Sequence, residues 1–250
     1  MTGGDTFSYQ GRELDVFAAA LHWKAYWASR IGHWVRGDVL EVGAGLGANT
    51  TLLQNSRVRS WRCIEPDPQL AAQLAGAVAH LPVCSVSAGT IASVAESRFD
   101  AILYIDVLEH IEADRDELRA AAKMLRDAGH VIVLAPAHQF LFSEFDASIG
   151  HYRRYNRTSL AACSPPGCRL EAMFYLDCAG MLASLANRIL LRQSQPTAAQ
   201  IGLWDNYIIP VSRVLDPVLR YSFGKTICGV WTRTGEEAPH PGVGPASPAP

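Results

Sequence analysis

Short apolar runs alternate with amphipathic stretches through the first half of the chain. Five apolar, β-favouring runs lie within residues 39–136, and they begin near Val39, Trp61, Val83, Phe99 and Val131. Two further runs, at 169–175 and 225–232, predict a sixth and a last strand. The segments between the first five runs have helical spacing. Because strands that alternate with helices form parallel sheets, the pattern predicts an α/β fold with a doubly wound, mostly parallel, seven-stranded sheet.

Helical periodicity also occurs outside this alternating segment. Residues 12–35 predict an N-terminal helix with an unusual aromatic content, and residues 178–221 predict a helical insertion before the last strand. Residues 236–250 are rich in Pro, Gly, Ala and Ser and have no apolar periodicity. We therefore expect these last residues to form a disordered tail.

The first strand runs into a glycine-rich turn. Gly43, Gly45 and Gly47 follow the apolar run and precede a second apolar stretch at 50–53, which predicts a helix start. Glycine lets the backbone adopt positive φ and removes the Cβ atom, while a helix start offers unpaired N–H groups. The turn is therefore predicted to hold a polar ligand against the backbone.

Two nucleotide-binding classes are compatible with this turn. Residues 43–48 match the G-x-G-x-x-A dinucleotide fingerprint, and Glu65 follows at a suitable distance for a ribose hydroxyl. Glu41 favours the other class, because Leu-Glu-Val-Gly-Ala-Gly-Leu-Gly resembles the first motif of class I S-adenosylmethionine-dependent methyltransferases. In that family the acid helps to hold the amino-acid end of the cofactor. An NAD-dependent oxidoreductase and an inactive methyltransferase-like binding protein remain the alternatives.

A second segment strengthens the resemblance. Residues 99–111, Phe-Asp-Ala-Ile-Leu-Tyr-Ile-Asp-Val-Leu-Glu-His-Ile, are similar to the post-motif region of small-molecule class I methyltransferases. Residues 127–129, Asp-Ala-Gly, replace the Pro-Gly-Gly that is usual before the fifth strand of that family. The resemblance covers residues 39–136. It implies a Rossmann-like methyltransferase fold and methyl transfer from S-adenosylmethionine to an O, N or C nucleophile of a small molecule in biosynthetic metabolism.

The resemblance also implies a cofactor site. Glu65 and Asp106 end predicted strands, and ligands of open α/β sheets bind at the carboxyl ends of the strands. The residues expected to contact the cofactor are Glu41, Gly43, Ala44, Gly45, Gly47, Asn49, Glu65, Pro66, Thr90, Ile91, Asp106 and Val107.

Size and composition favour one folded unit. The chain has 250 residues, of which 49% are hydrophobic and 18% charged, and single cores stop growing at about this length. We expect one methyltransferase domain at 1–235, with residues 36–136 as its cofactor-binding half and residues 137–235 as its substrate-side half.

Charge and cysteine spacing limit the partners. The formal net charge of -2 gives no electrostatic footprint for nucleic acid. The six cysteines are scattered without zinc-type spacing, so we expect reduced thiols and no metal. No signal peptide or long apolar window is apparent, so we expect a cytoplasmic monomer or homodimer without stable membrane insertion.

Three histidines are candidate general bases because their side chains titrate near neutral pH. His110, His138 and His151 all fall in loops that follow predicted strands. The alternative for each is a loop histidine that hydrogen-bonds the backbone.

Substrate contacts are predicted from an unusual basic and aromatic cluster. Tyr152, Arg153, Arg154 and Tyr155 follow His151, and two guanidiniums between two rings suit an anionic or flat substrate. Tyr26 of the aromatic helix is a further candidate. The alternative for the cluster is a solvated basic turn.

Overall fold

A computed structural model describes residues 19–190 and 197–235 of the chain. Seven strands form one sheet in the order β3-β2-β1-β4-β5-β7-β6. The strands are β1 Gly37–Val42, β2 Val58–Glu65, β3 Cys84–Ala88, β4 Phe99–Ile105, β5 Leu125–Pro136, β6 Cys168–Leu176 and β7 Thr226–Arg233. The first five are parallel neighbours, and β7 is antiparallel to both β5 and β6. The predicted seven-stranded α/β sheet is confirmed.

Helices cover both faces of this sheet. They are α1 Leu21–Ile31, α2 Ala48–Leu53, α3 Pro68–Ala77, α4 Asp114–Met124, α5 Glu144–Ser148, α6 Arg157–Ala161, α7 Cys178–Leu190, α8 Ala198–Leu203 and α9 Ile209–Val218. Short 3₁₀ turns lie at Ile91–Val94, Leu108–His110 and Gln139–Leu141. A π-helical turn, Trp204–Ile208, joins α8 to α9.

The core lies on both sides of the central strands, as the apolar composition of β4 predicts. Leu103 of β4 packs in the cluster that contains Trp27 and Trp61, whereas Ile102 packs in the cluster on the opposite face. This separation follows from the two-residue period of a strand. Both faces of β4 are therefore buried, and ligands have access only at the ends of the strands.

The start of β5 differs from the sequence-based expectation. The apolar pattern predicts a fifth strand that begins near Val131, but β5 begins at Leu125, which pairs with Phe99. Arg126 makes ion pairs with Asp100 on the adjacent β4 and with Asp38 on β1, one strand further away. These contacts hold the segment at the amino ends of the central strands. They depend on residues distant in sequence, which a local pattern does not reveal.

The N-terminal helix begins at Leu21, and residues 12–18 of the predicted helix lie outside the described residues. The predicted insertion is helical at α7 and again from α8 to α9, while residues 191–196 and the predicted tail at 236–250 are not described. Asp205 of the insertion accepts hydrogen bonds from the backbone N–H groups of His22 and Trp23. It thereby caps the start of α1, so the insertion and the N-terminal helix form one cover.

The cysteines and the helices bear on the expected thiol state and on membrane insertion. All six cysteines have free thiols. Within residues 19–190 and 197–235, none of the helices combines the length and hydropathy needed to span a bilayer.

Candidate active site

The glycine-rich turn connects β1 to α2 at the carboxyl edge of the sheet. Gly43, Gly45 and Gly47 have φ values of 66°, 54° and 80°, in the left-handed region that favours glycine. A Cβ atom on Gly43 would lie 2.7 Å from Cγ2 of Val107, the second residue after β4. Close packing against the β4 turn thus requires glycine at this position. The structure places Val107 against the glycine turn.

The acid at the end of β2 reaches the same turn. Oε2 of Glu65 accepts a 2.9 Å hydrogen bond from the backbone N–H of Gly45, and Oε1 accepts one of 3.1 Å from Asp67 N–H. Burial raises the pKa of Glu65, although the two backbone hydrogen bonds act in the opposite direction. Asp67 caps α3 as expected. The adjacent Pro66 is half-buried.

Glu41 lies behind the turn and is almost fully buried. Its Oε2 accepts hydrogen bonds from Thr50 Oγ1 at 2.5 Å and from Trp61 Nε1 at 3.0 Å. Oε1 has no hydrogen-bond partner among the described residues. Burial raises the pKa of Glu41 to about 7. A buried carboxylate oxygen without a partner is uncommon and suggests that a ligand completes the site.

The remaining predicted cofactor residues have different environments. Ala44 is buried in the turn and Asn49 is half-buried in α2. Thr90 is exposed after β3, whereas the side chain of Ile91 packs in the core. The contact predicted for Ile91 is therefore restricted to its backbone, because its side chain is already occupied by packing.

Asp106 lies at the carboxyl end of β4 in a strained conformation. Its φ is 55°, and its backbone N–H donates to the carbonyl of Leu134 at 2.8 Å. Its side chain remains accessible within a cleft, even though protein surrounds it closely. Burial raises its pKa to about 6, against the opposing effect of His151, Lys24 and Lys225. A strained residue at the end of a buried strand is typical of functional sites.

The two lysines of this cleft were not singled out from the sequence. Lys24 belongs to α1, and Lys225 precedes β7, where its Nζ lies 4.7 Å from the ring centroid of Trp204. Burial lowers the pKa of both lysines. Their charges act on Asp106 from α1 and from the segment before β7, outside any motif, so no local sequence signal identifies them.

Two of the three candidate histidines lie together. The rings of His110 and His151 make an edge-to-face contact, with centroids 4.4 Å apart. Nδ1 of His151 lies 3.0 Å from Oδ1 of Asp146, and its Nε2 lies 3.8 Å from Oε1 of Glu109. Burial, together with the charge of His151, lowers the pKa of His110 to about 4.

Glu109 completes this group at the end of the β4 segment. Its side chain is fully buried, and neither carboxylate oxygen has a hydrogen-bond partner of good geometry among the described residues. Burial raises its pKa well above the ordinary value, and the nearby Asp106 adds to the effect. A hydrogen bond from its own backbone amide and the positive charge of Arg154 lower the pKa of Glu109, but burial outweighs both. Glu109 was not among the predicted site residues, although it stands inside the family-like segment.

His138 has a separate environment. It has a φ of 65°, and its ring stacks on Phe140 and on Tyr175, with centroids 5.1 Å and 4.9 Å away. A hydrogen bond with the Gly224 backbone holds one side of the ring, while Nε2 is buried without a partner among the described residues. Burial lowers its pKa. The stacking fixes the ring in a position apart from the His110–His151 pair.

The basic cluster is satisfied by carboxylates of the protein itself. Arg154 donates two hydrogen bonds to Asp146, at 2.9 Å and 3.0 Å. Arg153 forms a 2.7 Å ion pair with Asp114, which also accepts a 2.8 Å hydrogen bond from Tyr155. Internal carboxylates thus already bind both guanidiniums, and the grip of these arginines on a substrate anion stays a prediction.

The tyrosines of the predicted substrate set divide into two groups. Tyr155 and Tyr26 are buried, and the Tyr26 hydroxyl donates to Asp216 at 2.7 Å. Packing and internal hydrogen bonds already satisfy these two side chains, and their contact with a substrate stays a prediction. Tyr152 is 52% exposed and remains available.

Asp146 was missed by sequence reasoning, although a signal was present. Ser143 and Asp146 form a capping box at the start of α5, and the S-x-x-D spacing is visible in the sequence. Burial raises the pKa of Asp146, but hydrogen bonds from His151 and Arg154 outweigh this and hold the pKa well below its ordinary value. The cap residue thus also orients His151.

Comparisons with known proteins identify the family and the fold of this chain. A family profile described as a methyltransferase domain matches residues 17–164, more than half of the chain. No curated protein shows a significant match. Among solved structures, the N-methyltransferase NodS from Bradyrhizobium japonicum is 14% identical, with a TM-score of 0.52 over 87% of this chain and 96% of that chain.

Two further structures share the fold. The [4+2]-cyclase SpnF is 13% identical, with a TM-score of 0.57 over 89% of this chain and 94% of that one. The mitomycin 7-O-methyltransferase MmcR is 12% identical, with a TM-score of 0.54 over 89% of this chain and 57% of that one. The family match decides between the two classes that the glycine turn left open. The chain belongs to the methyltransferase domain family and is an S-adenosylmethionine-dependent methyltransferase.

Proposed function

We propose that this enzyme methylates an oxygen, nitrogen or carbon atom of a small polar molecule in biosynthetic metabolism. The observation that carries the proposal is the contact of Glu65 with the backbone of Gly45. It brings the acid that ends β2 to the glycine turn after β1, beside the point where the sheet order reverses between β1 and β4. Ligands of open α/β sheets bind at this reversal.

The chain's own residues fit the methyl donor. Glycines with positive φ leave the turn backbone open to a ligand, and Glu65 would bind the ribose hydroxyls. The unpartnered Oε1 of Glu41 would receive the ammonium of the amino-acid end, which satisfies an otherwise costly buried oxygen. When bound, S-adenosylmethionine would supply a methyl group on its sulfonium sulfur, and this sulfur is the leaving group when a nucleophile attacks the methyl carbon. No covalent enzyme intermediate is required.

The acceptor would lie in the cleft beside Asp106. Lys24, Lys225 and His151 surround this carboxylate, and α1 with the insertion covers it. A cleft with charges of both signs suits a small polar molecule. The protein's task is to align the nucleophile with the methyl group and to exclude water, and alignment alone lowers a barrier substantially. The acceptor would be activated at the neighbouring group of Glu109, His110 and His151.

Ligand-dependent stability tests the cofactor assignment. S-adenosylhomocysteine at 100 times its dissociation constant should stabilise the fold by about 2.7 kcal/mol, whereas NAD should have no effect. Glu65→Gln should weaken this effect, and the exposed control Glu96→Gln should retain it. Stabilisation by NAD and not by S-adenosylhomocysteine would overturn the assignment.

Methyl transfer itself needs a separate experiment, because the same fold is found in a protein named as a cyclase. The chain should transfer a labelled methyl group from S-adenosylmethionine to members of a panel of small polar acceptors. Transfer should be lost in Asp106→Ala. Equal transfer by Asp106→Ala and the unmodified chain would place the acceptor elsewhere.

A further inference from the structure

Glu109, His110 and His151 form a three-residue group beside the proposed acceptor cleft. Each offers one ligand atom, and the three atoms lie within 4.8 Å of one another. Glu109 and His110 belong to the 3₁₀ turn after β4, and His151 follows α5. Two separate segments of the chain therefore bring one carboxylate and two imidazoles to the same point.

The hydrogen bonds around the group orient its nitrogens. Asp146 lies 3.0 Å from Nδ1 of His151, which directs Nε2 toward Glu109. One ring nitrogen of His110 hydrogen-bonds the backbone of Gly150. A carboxylate or a carbonyl on the far nitrogen is the usual support of a metal-binding histidine, because it fixes the tautomer and the ring orientation. Both histidines have such support.

The environment of Glu109 also indicates a bound ion. It is fully buried, and both of its oxygens lack a hydrogen-bond partner of good geometry among the described residues. Leaving a carboxylate buried and unsatisfied is costly, and buried charges are normally paired or coordinate metals. Nε2 of His151 lies 3.8 Å from Oε1 of Glu109, which is too long for a hydrogen bond. That separation leaves room for an atom between them.

We propose that Glu109, His110 and His151 bind a divalent transition-metal ion of the Zn²⁺ type. One carboxylate and two imidazoles are a ligand set of zinc sites that keep an open position. Ligand atoms about 2.0–2.2 Å from a tetrahedral ion lie roughly 3.4 Å apart, so the group would contract from spacings of at most 4.8 Å, one of which is already 3.8 Å. This site uses no cysteine, and it is proposed in place of the expectation that no metal binds.

The proposed metal site indicates the chemical class of the methyl acceptor. This part of the inference rests on the proposed function. A metal ion at the cleft lowers the pKa of a hydroxyl that binds to it. The acceptor is then a small molecule with a hydroxyl group. Its oxygen loses the proton to solvent and gains the methyl group that the sulfonium sulfur gives up, with no change in oxidation state.

Metal binding by the full-length, tag-free chain tests the proposal after treatment with a chelator. Calorimetric titration with Zn²⁺ should show one tight site, and Co²⁺ should produce the visible absorption of a low-coordinate complex. Glu109→Gln and His151→Ala should each weaken Zn²⁺ binding at least 100-fold. Asp146→Asn, which acts through His151, should weaken it about 10- to 100-fold.

The exposed His80 provides the matched control, since His80→Ala should bind Zn²⁺ like the unmodified chain. Circular dichroism identifies any variant that fails to fold. The Co²⁺ spectrum is measured on the unmodified chain, so it tests the site even if a variant does not fold. Absence of a stoichiometric site, or equal binding by the folded Glu109→Gln variant, would overturn the proposal and leave Glu109 as a neutral carboxylic acid. Binding of S-adenosylhomocysteine, measured separately, shows whether the proposed function fails instead.

Discussion

The hydroxyl of Tyr26 in α1 donates a 2.7 Å hydrogen bond to the carboxylate of Asp216 in α9, although 190 residues separate the two in sequence. Asp216 also accepts hydrogen bonds from the backbone N–H groups of Asp177 and Cys178 at the start of α7. One buried carboxylate therefore joins the N-terminal helix to both parts of the insertion. The cover over the strand ends is fixed by polar contacts as well as by packing.

Tyr26→Phe should destabilise the protein by about 1–3 kcal/mol, because Asp216 loses one of its buried donors. Urea unfolding measures the difference in free energy. Tyr207→Phe is the matched control, since Tyr207 is exposed and should change stability by less than about 0.5 kcal/mol. Equal stability of the two variants would mean that the Tyr26 hydroxyl contributes nothing to holding the cover.

Gly45→Val should abolish binding of S-adenosylhomocysteine, as measured by calorimetry. Gly45 has a φ of 54° and donates its N–H to Glu65, so a β-branched side chain would strain the turn and disturb the proposed ribose site. Gly76→Val should retain binding, because an added Cβ at this position in α3 meets no atom within 4 Å. Native affinity of Gly45→Val would show that the cofactor binds elsewhere.

Glu41 should make stability fall as pH rises. Its folded pKa of about 7 exceeds the ordinary value of 4.5, so between these values the folded chain keeps a proton that the unfolded chain has released. The unfolding free energy should therefore decrease from pH 4.5 to pH 7, by roughly 3 kcal/mol in total from this group.

Urea unfolding of Glu41→Gln at pH 5 and pH 8 measures the Glu41 contribution. The variant should lose this part of the pH dependence, whereas the exposed control Glu96→Gln should keep it. An unchanged pH profile in Glu41→Gln would mean that Glu41 is already ionised at pH 5.

Arg154→Ala should act on stability more than on acceptor binding. Two hydrogen bonds join Arg154 to Asp146, and both side chains are almost fully removed from solvent. Removing one partner of a buried ion pair costs about 3–5 kcal/mol. Arg119→Ala removes an exposed pair with Asp116 and should cost less than about 1 kcal/mol. Thermal or urea unfolding distinguishes the two. Similar losses in both variants would show that the Asp146 carboxylate has found other partners.

The sheet could be predicted from sequence because its signals are local. The apolar run that contains Leu103, the glycines of the turn and the cap residue Asp67 each act within a few residues of their own position. The start of β5 was misjudged because Arg126 finds its carboxylate partners, Asp38 and Asp100, on other strands. Pairing across strands has no local pattern.

The site was predictable only in part, for the same reason. The histidines and Glu65 follow predicted strands, so topology alone directs them to the carboxyl edge. The partners of other candidate residues come from distant segments: Asp114 for Arg153 and Lys225 for Asp106. An arginine pair that looked available to a substrate in the sequence is neutralised once the chain folds.

The position of β7 between β5 and β6 affects how the chain can fold during translation. β7 is made after both of its neighbours, and β6 has no other strand partner within the described ranges. A ribosome adds about 5–20 residues per second, so the roughly 50 residues from β6 to β7 take a few seconds. During that interval the edges of β5 and β6 lack their central neighbour. A nascent chain is therefore most vulnerable to aggregation and most in need of a chaperone while this stretch is being synthesised.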